Sequence, residues 1–298
     1  MSDAIRVARV RAGAIMMNHA RGGTGNPVVL LHGWPEFWLV WRRLMGRLTD
    51  HFDLIAPEWR GFGDSDKPDP RPATSTTPDQ LADDLRAFLD ALGLQRVGLV
   101  AHDVGSAAAQ VFTRRWPERV SGLFLFNAVH AAVGRAWIDG GHYARLWYQG
   151  FNQQPWAARL VGLSHEACRL YIGGMLASWS RDPKAFDDDL EAYVDNFMKP
   201  GNLQGGFNWY LSVQSWRVAA IEGTAPKPPP LASVPVRVLW GRHDPVLLAT
   251  WAEGLRQFFP DIEVSYAENA GHFVHHETPD EAAAAVARFF SGPRVRWT

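Results

Sequence analysis

The stretch that decides the fold is QRVGLVAHDVGS, residues 95–106. Its first half is a continuous apolar run, which is typical of a strand buried on both faces of a parallel sheet. Its second half is a sharp turn at Asp103 among small residues, and a helical segment follows at 107–116. A turn this tight strains the backbone of the residue at its tip and exposes that side chain above the sheet. The stretch therefore predicts a strand, an elbow and a helix in succession.

The same alternation continues on both sides of this stretch. A short edge hairpin is indicated at 5–18, and apolar runs typical of strands lie at 27–31, 52–56, 120–126, 234–240 and 262–266. Helical patterns lie at 38–48, 78–92 and 279–290, the second of them opened by the capping box Thr77-Pro78-Asp79-Gln80. Strands that alternate with helices at this density predict an α/β fold with a mostly parallel central sheet and helices on both faces.

Residues 129–230 have a different character. Aromatic residues recur there at helical spacing, continuous β-branched runs are absent, and the stretch closes with four prolines between 226 and 230. We expect an inserted helical cap (lid) domain at 129–230 and an α/β core domain formed by 1–128 and 231–298. Because six of the 14 tryptophans fall in this segment, the cap is expected to be an apolar lid.

Composition excludes several classes of partner. The chain has 298 residues, with 30 basic and 31 acidic side chains, so no strong basic field is present to attract nucleic acid or an anionic membrane. The single Cys168 can form neither an internal disulfide nor a two-cysteine metal motif. We expect a cytoplasmic protein without cofactor or metal, and the sequence leaves open whether it forms a homodimer.

Two later residues follow strands in the same way as Asp103. Asp244 follows the run that ends at Trp240, and His272 follows the next predicted strand. The three side chains would emerge at the carboxyl edge of one sheet, in the order nucleophile, acid, histidine. Each alone has an ordinary explanation, as a helix cap, a turn before a proline and a loop histidine. Their shared order and placement favour a catalytic set with aspartate as the nucleophile.

The loop after the first central strand, His32-Gly33-Trp34-Pro35, lies where this architecture supplies a backbone N–H group to an oxyanion hole. We expect the N–H groups of Trp34 and Val104 to form that oxyanion hole. Glycine at position 33 lets the backbone approach, and His32 is expected to be structural.

Together these motifs resemble the α/β-hydrolase-fold epoxide hydrolases over essentially the whole chain. The motifs are HGWPE at 32–36, RGFGDSDKP at 60–68, His102-Asp103, Asp244 and Gly271-His272. The resemblance implies the α/β-hydrolase fold and two cap tyrosines that face the nucleophile, matched here by Tyr210 and, more weakly, by Tyr148. The chain departs from the family pattern at Val104, Glu58 and His275, where tryptophan, aspartate and glutamine are common.

The resemblance also implies a reaction. Asp103 would attack a small apolar epoxide and form an alkyl-enzyme ester, which water activated by His272 and Asp244 would hydrolyse to a vicinal diol. Tyr148 and Tyr210 would polarise the epoxide oxygen. We expect the side chains of Trp34, Trp38 and Trp209 to contact the substrate; detoxification, catabolism and biosynthesis all stay open as its physiological purpose.

Two other functions stay open at this stage. A haloalkane or haloacid dehalogenase would use the same Asp103 and His272, but a departing halide needs N–H donors, usually indoles, and position 104 holds valine. A non-catalytic ligand-binding protein on the same scaffold would be expected to lack a member of the triad, whereas Asp103, Asp244 and His272 are all present.

Overall fold

The computed structural model describes residues 5–67 and 76–297. Pro68, the last residue of the motif at 60–68, lies outside these ranges. Within the described ranges eight strands form one sheet: β1 Arg6–Ala12, β2 Ile15–Gly22, β3 Asn26–Leu31, β4 Phe52–Pro57, β5 Val97–His102, β6 Val120–Ala128, β7 Val236–Gly241 and β8 Glu263–Ala267.

The sheet has the strand order β1-β2-β4-β3-β5-β6-β7-β8. β1 and β2 form an antiparallel hairpin, and β2 also runs antiparallel to β4. All the remaining neighbours are parallel. Every residue of β5 and β6 is buried, which explains why these strands are continuously apolar rather than alternating. The predicted α/β fold with a mostly parallel sheet is confirmed.

The α-helices in the described residues are α1 Arg42–Leu48, α2 Pro78–Ala91, α3 Asp103–Arg115, α4 Trp147–Asn152, α5 Ala157–Val161, α6 His165–Cys168, α7 Gly174–Trp179, α8 Leu190–Met198, α9 Asn202–Ser212, α10 Gln214–Glu222, α11 Val274–Glu277 and α12 Pro279–Phe290. Short 3₁₀ segments are Trp38–Trp41, Pro117–Arg119, Ala131–Trp137, Asp139–Leu146 and Ala249–Gln257, and Arg169–Gly173 is a π-turn. None of the helices described here is both long and apolar enough to cross a membrane.

The N-terminus of α2 departs in one detail from its predicted capping box. The Thr77 hydroxyl accepts a hydrogen bond from the Gln80 N–H group at 3.2 Å, as expected of a cap. The Gln80 side chain does not return to Thr77 but donates to Asp84 at 3.2 Å. Asp84 is buried and paired with Arg60, so this nearby carboxylate is the stronger acceptor for the amide.

The segment between β6 and β7, all of it described, contains helices and turns but no strand. It touches the core at the carboxyl edge of the sheet. A side chain at Gly205 in α9 would overlap the backbone of Gly61, so glycine at both positions lets the chains pack closely. The His272 N–H group donates to the Trp179 carbonyl at 2.9 Å. These contacts hold the helical segment directly above the end of β5.

Candidate active site

Asp103 is the first residue of α3 and follows β5 directly. Its φ angle is 44°, in the left-handed region that costs a non-glycine residue about 1 kcal/mol or more. The Ser106 hydroxyl donates to the Asp103 carbonyl and accepts from the Val129 N–H group at 3.0 Å. A side chain at Gly105 would overlap the carbonyl oxygen of Leu31. Small residues therefore let this turn pack against β3 and hold Asp103 at its tip.

The loop after β3 brings a backbone donor to the Asp103 carboxylate. The Trp34 N–H group donates to Oδ1 of Asp103 at 3.0 Å. A Cβ atom at Gly33 would lie only 2.5 Å from the Cβ atom of Asp103, so this approach requires glycine. His32 holds the loop: its Nδ1 lies 2.8 Å from the Gly33 carbonyl, and its Nε2 accepts from the Trp59 N–H group. Burial lowers the pKa of His32 to about 4, so the ring is neutral and structural.

His272 and Asp244 form a buried pair next to this loop. Nδ1 of His272 lies 2.8 Å from Oδ2 of Asp244, and both side chains are fully buried. Oδ1 of Asp244 accepts from the N–H groups of Val246 and Leu247 at 2.7 and 2.9 Å. Because the carboxylate is held as an acceptor, the imidazole carries its proton on Nδ1. Nε2 of His272 is buried and has no hydrogen-bond partner among the described residues, which leaves it available for chemistry.

Asn127, the penultimate residue of β6, completes the surroundings of Asp244 and was missed by the sequence analysis. Its Nδ2 donates to Oδ2 of Asp244 at 2.5 Å, and its Oδ1 accepts from the Gly241 N–H group at 3.1 Å. Its φ angle is 36°, a conformation that asparagine adopts more readily than most residues. The available signal was a lone polar residue near the end of an apolar strand.

The pKa of His272 depends on these neighbours. Burial alone would lower that pKa, but the charge and hydrogen bond of Asp244, together with the charge of Asp103, raise it to about 9. The ring is therefore protonated at pH 7. If the carboxylate of Asp103 became an ester, its charge would vanish and the pKa of His272 would fall. His272 would thus become a better base at that stage.

Two tyrosines of the helical segment face this site. The Tyr148 ring stacks on Trp34 with centroids 5.8 Å apart, and the Tyr210 ring packs edge-on to Trp34 at 5.4 Å and to Tyr148 at 5.7 Å. Burial, reinforced by the charge of Asp103, raises the pKa of both hydroxyls. Both phenols therefore stay protonated. The Gln149 amide donates to the Tyr148 oxygen at 3.2 Å, which leaves the Tyr148 proton free to be donated.

A cavity of about 20 Å³ lies among these groups, which is room for about one water molecule. Its lining is Trp34, Asp103, Val129, Trp137, Tyr148, Gln149, Trp179, Trp209, Tyr210, Arg217, Val246 and Leu247. The predicted substrate contacts Trp34 and Trp209 belong to it. Trp38 does not: it is half-buried and packs against the hydrophobic core, so its contact with a substrate stays a prediction. Val104 is buried and also lies outside the lining.

Several residues of this lining were not singled out for the site from the sequence, among them Trp179, Trp137 and Arg217. The Trp179 ring lies 5.5 Å from Trp34 and 5.4 Å from His272, measured between centroids. The high number of tryptophans in the predicted cap was a general signal that indoles such as those of Trp137 and Trp179 would line the site. Arg217 gave none, because a lone arginine on a short helix ordinarily indicates a solvated face.

A fully buried cluster of Glu36, His102 and His275 lies beside His272. Among the described residues this cluster could offer three ligand atoms to a metal, since these atoms all lie within 4.8 Å of one another. Glu36 accepts from the Gly33 N–H group at 2.6 Å and lies 3.0 Å from His102 Nδ1 and 3.1 Å from His275 Nε2. These hydrogen bonds satisfy the three ligand atoms without an ion.

The charge of this cluster follows from its hydrogen bonds. The second ring nitrogen of His102 lies 2.9 Å from the carbonyl oxygen of His272, so both nitrogens of His102 face acceptors and the ring is cationic. Burial opposes ionisation of Glu36, but the two histidines hold its pKa well below the usual range. Burial lowers the pKa of His275 to about 4, so that ring is neutral. The result is a buried Glu36–His102 ion pair that fixes the backbone of His272.

Comparison with known proteins agrees with this fold. Residues 26–279 match the family model of the alpha/beta hydrolase fold. The soluble epoxide hydrolase of Corynebacterium sp. (strain C12) is 27% identical over 98% of this chain and 99% of its own length. Epoxide hydrolase 4 of Homo sapiens is 28% identical over 88% of this chain and 71% of its own length.

Among solved structures, the epoxide hydrolase CorEH without ligand is similar with a TM-score of 0.82 and 27% identity, covering 97% of this chain and 99% of that one. The resemblance predicted from the motifs is thereby confirmed. The chain belongs to the α/β hydrolase fold family, as a hydrolase similar to its epoxide hydrolases.

Proposed function

We propose that the protein hydrolyses an epoxide to a vicinal diol through a covalent ester on Asp103. The observation that carries the proposal is that two protonated tyrosines, Tyr148 and Tyr210, share one small cavity with a carboxylate on a strained elbow. A carboxylate nucleophile suits an sp³ carbon, and a phenol suits the alkoxide that such an attack releases. The similarity to proteins named epoxide hydrolases supports the same reaction.

In the first step the Asp103 carboxylate forms a C–O bond to one epoxide carbon. The ring C–O bond breaks, and its electron pair leaves on the oxygen as an alkoxide. An alkoxide is a strong base, and Tyr148 or Tyr210 donates the proton that it takes. The hydrogen bond from Trp34 N–H holds Oδ1 of Asp103, so Oδ2 is the oxygen that attacks.

Proton balance links this step to the next one. The tyrosinate left by ring opening must regain a proton, and His272, whose pKa of about 9 makes it cationic in the resting enzyme, must lose one before it can act as a base. Transfer of the His272 proton to the tyrosinate through the cavity satisfies both needs. Loss of the Asp103 charge on ester formation drives the transfer in that direction.

In the second step neutral His272 takes a proton from water, which attacks the carbonyl carbon of the ester. Asp244 stabilises the imidazolium that forms. The tetrahedral oxyanion is stabilised by the N–H groups of Trp34 and Val104, which are preorganised donors in a closed site. Collapse expels the diol oxygen, which takes the proton from His272. The second water proton, left on the Asp103 carboxyl group, then passes to His272, which restores the Asp103 carboxylate and the cationic imidazole of the resting enzyme.

The test is a covalent trap. His272→Gln leaves Asp103 able to attack but removes the base, so a reactive epoxide should add its full mass to an Asp103-containing peptide. The matched control, Asp103→Asn in the same background, should form no adduct. Diol formation by the wild type is assayed in parallel with halide release from haloalkanes and haloacids. Absence of adduct and diol across a panel of reactive epoxides would refute the proposal, and halide release alone would make the protein a dehalogenase.

A further inference from the structure

The small cavity at Asp103 adjoins a larger one of about 390 Å³. Four residues line both of them, namely Val129, Trp137, Trp209 and Arg217. Because the cavity at Asp103 has room for about one water molecule, the part of a substrate remote from the reacting carbon must occupy adjoining space. A cavity of about 550 Å³ also adjoins it through Trp179 and Val246, so a substituent of the substrate would lie at one of these two shared walls.

Three buried donor atoms without an acceptor in the described part of the chain lie on the wall shared with the cavity of about 390 Å³. The Nε and Nη1 atoms of Arg217 are buried and have no hydrogen-bond partner among the described residues. The indole Nε1 of Trp137 is likewise buried without a partner in the described part of the chain. The guanidinium carbon of Arg217 lies 5.7 Å from the centroid of the Trp137 ring, so the two groups face the same space.

Arg217 differs in this respect from Arg60, which is also half-buried. Arg60 is paired through two hydrogen bonds with the buried carboxylate of Asp84. No described carboxylate makes an ion pair with Arg217 within 4.0 Å. Burial lowers the pKa of Arg217 while the nearby Tyr148, Tyr210 and Asp103 oppose that shift, and a guanidinium stays charged in any case. A buried cation whose donors are unsatisfied is costly, and an anionic ligand removes that cost.

We propose that Arg217 and Trp137 bind a carboxylate of the substrate, so that the substrate is an epoxide carrying a carboxylate group rather than a wholly apolar epoxide. This inference rests on the epoxide hydrolysis proposed above. One guanidinium and one indole N–H match a single negative charge in a planar group that accepts several hydrogen bonds. The carboxylate lies at the wall between the two cavities while the ring faces Asp103.

The test compares an epoxide carboxylate with its neutral, nearly isosteric primary amide. The wild type should favour the carboxylate in kcat/KM by about 10- to 100-fold, the range of one charge-assisted contact. Arg217→Met should abolish the preference, chiefly through KM, and Arg217→Lys should restore part of it. The matched control is Arg159→Met, which removes the same charge from an exposed residue of α5 that lines none of these three cavities and should leave the preference unchanged.

Other outcomes would overturn the proposal. If Arg217→Met slows both substrates equally, Arg217 acts on the tyrosines or on the fold and not on a carboxylate. If the wild type shows no preference, the site does not select an anion although the hydrolysis stands. If neither epoxide is hydrolysed, the proposed function fails. Calorimetry then tests the anion site separately, by comparing how tightly the carboxylate and the amide bind to Asp103→Asn. A carboxylate preference there that Arg217→Met removes supports the anion site, and its absence refutes it.

Discussion

Replacing Gly33 by alanine tests how closely the oxyanion loop approaches the nucleophile. The new Cβ atom would lie 2.5 Å from Cβ and 2.8 Å from Oδ1 of Asp103, whereas ordinary contact begins at 3.4 Å. Relief of this overlap requires the loop or the carboxylate to move by about 0.9 Å, and a displacement of about 1 Å at reacting atoms costs about 100-fold in rate. Overpacking of this kind also costs about 1–3 kcal/mol of stability.

The assay is kcat/KM for diol formation, with the melting temperature measured on the same samples. Gly46→Ala is the matched control, because an added Cβ meets nothing within 4 Å there and the residue lies in α1, where alanine stabilises by about 0.5–1 kcal/mol. We expect Gly33→Ala to lose about 100-fold in kcat/KM and Gly46→Ala to be unchanged. Activity of Gly33→Ala within threefold of the wild type would show that the loop does not hold Asp103.

Three further predictions concern individual side chains. Tyr210→Phe should slow adduct formation on Asp103 by about 100-fold, because a proton donor is lost. Tyr171 lies outside the lining of the Asp103 cavity, so Tyr171→Phe should leave the rate of adduct formation unchanged. Equal effects of the two substitutions would remove the reason to favour epoxides. The pKa of His272 is raised from 6.5 to about 9 in the folded protein, so protonation of this ring stabilises the fold fully below pH 6.5, and that stabilisation is lost as the pH rises through 9. Between pH 6.5 and 10, urea unfolding should therefore show the wild type losing more stability than His272→Gln. Parallel curves of unfolding free energy against pH would contradict the shift. Glu36→Gln leaves the buried His102 without its counter-ion and should lower the free energy of unfolding, measured by urea denaturation, by about 3 kcal/mol. A measured loss below about 1 kcal/mol would contradict the buried ion pair.

Much of the scaffold was predictable because its signals are local. Continuous apolar runs located the strands of the parallel sheet, and small residues around Asp103 located the elbow, since both are conditions on neighbouring positions in the chain. The last helix begins at Pro279 and ends at Phe290 as predicted. Local pattern is misleading at Asp189, because an acidic run such as Asp187-Asp188-Asp189 is typical of a solvated face. Asp189 is instead buried, and its carboxylate lies 2.5 Å from the guanidinium of Arg42, 147 positions earlier in the chain.

The sequence by itself determined the α/β fold and the strand ends at which Asp103, Asp244 and His272 lie, because the carboxyl ends of parallel strands meet at one edge. Tertiary structure alone decided how the irregular helical segment is placed over that edge. Neither the convergence of Tyr148 and Tyr210 on Trp34 nor the place of Arg217, two of whose nitrogens are buried without a partner among the described residues, has a local signature. Such contacts join residues far apart in the chain, and packing, rather than backbone periodicity, selects them.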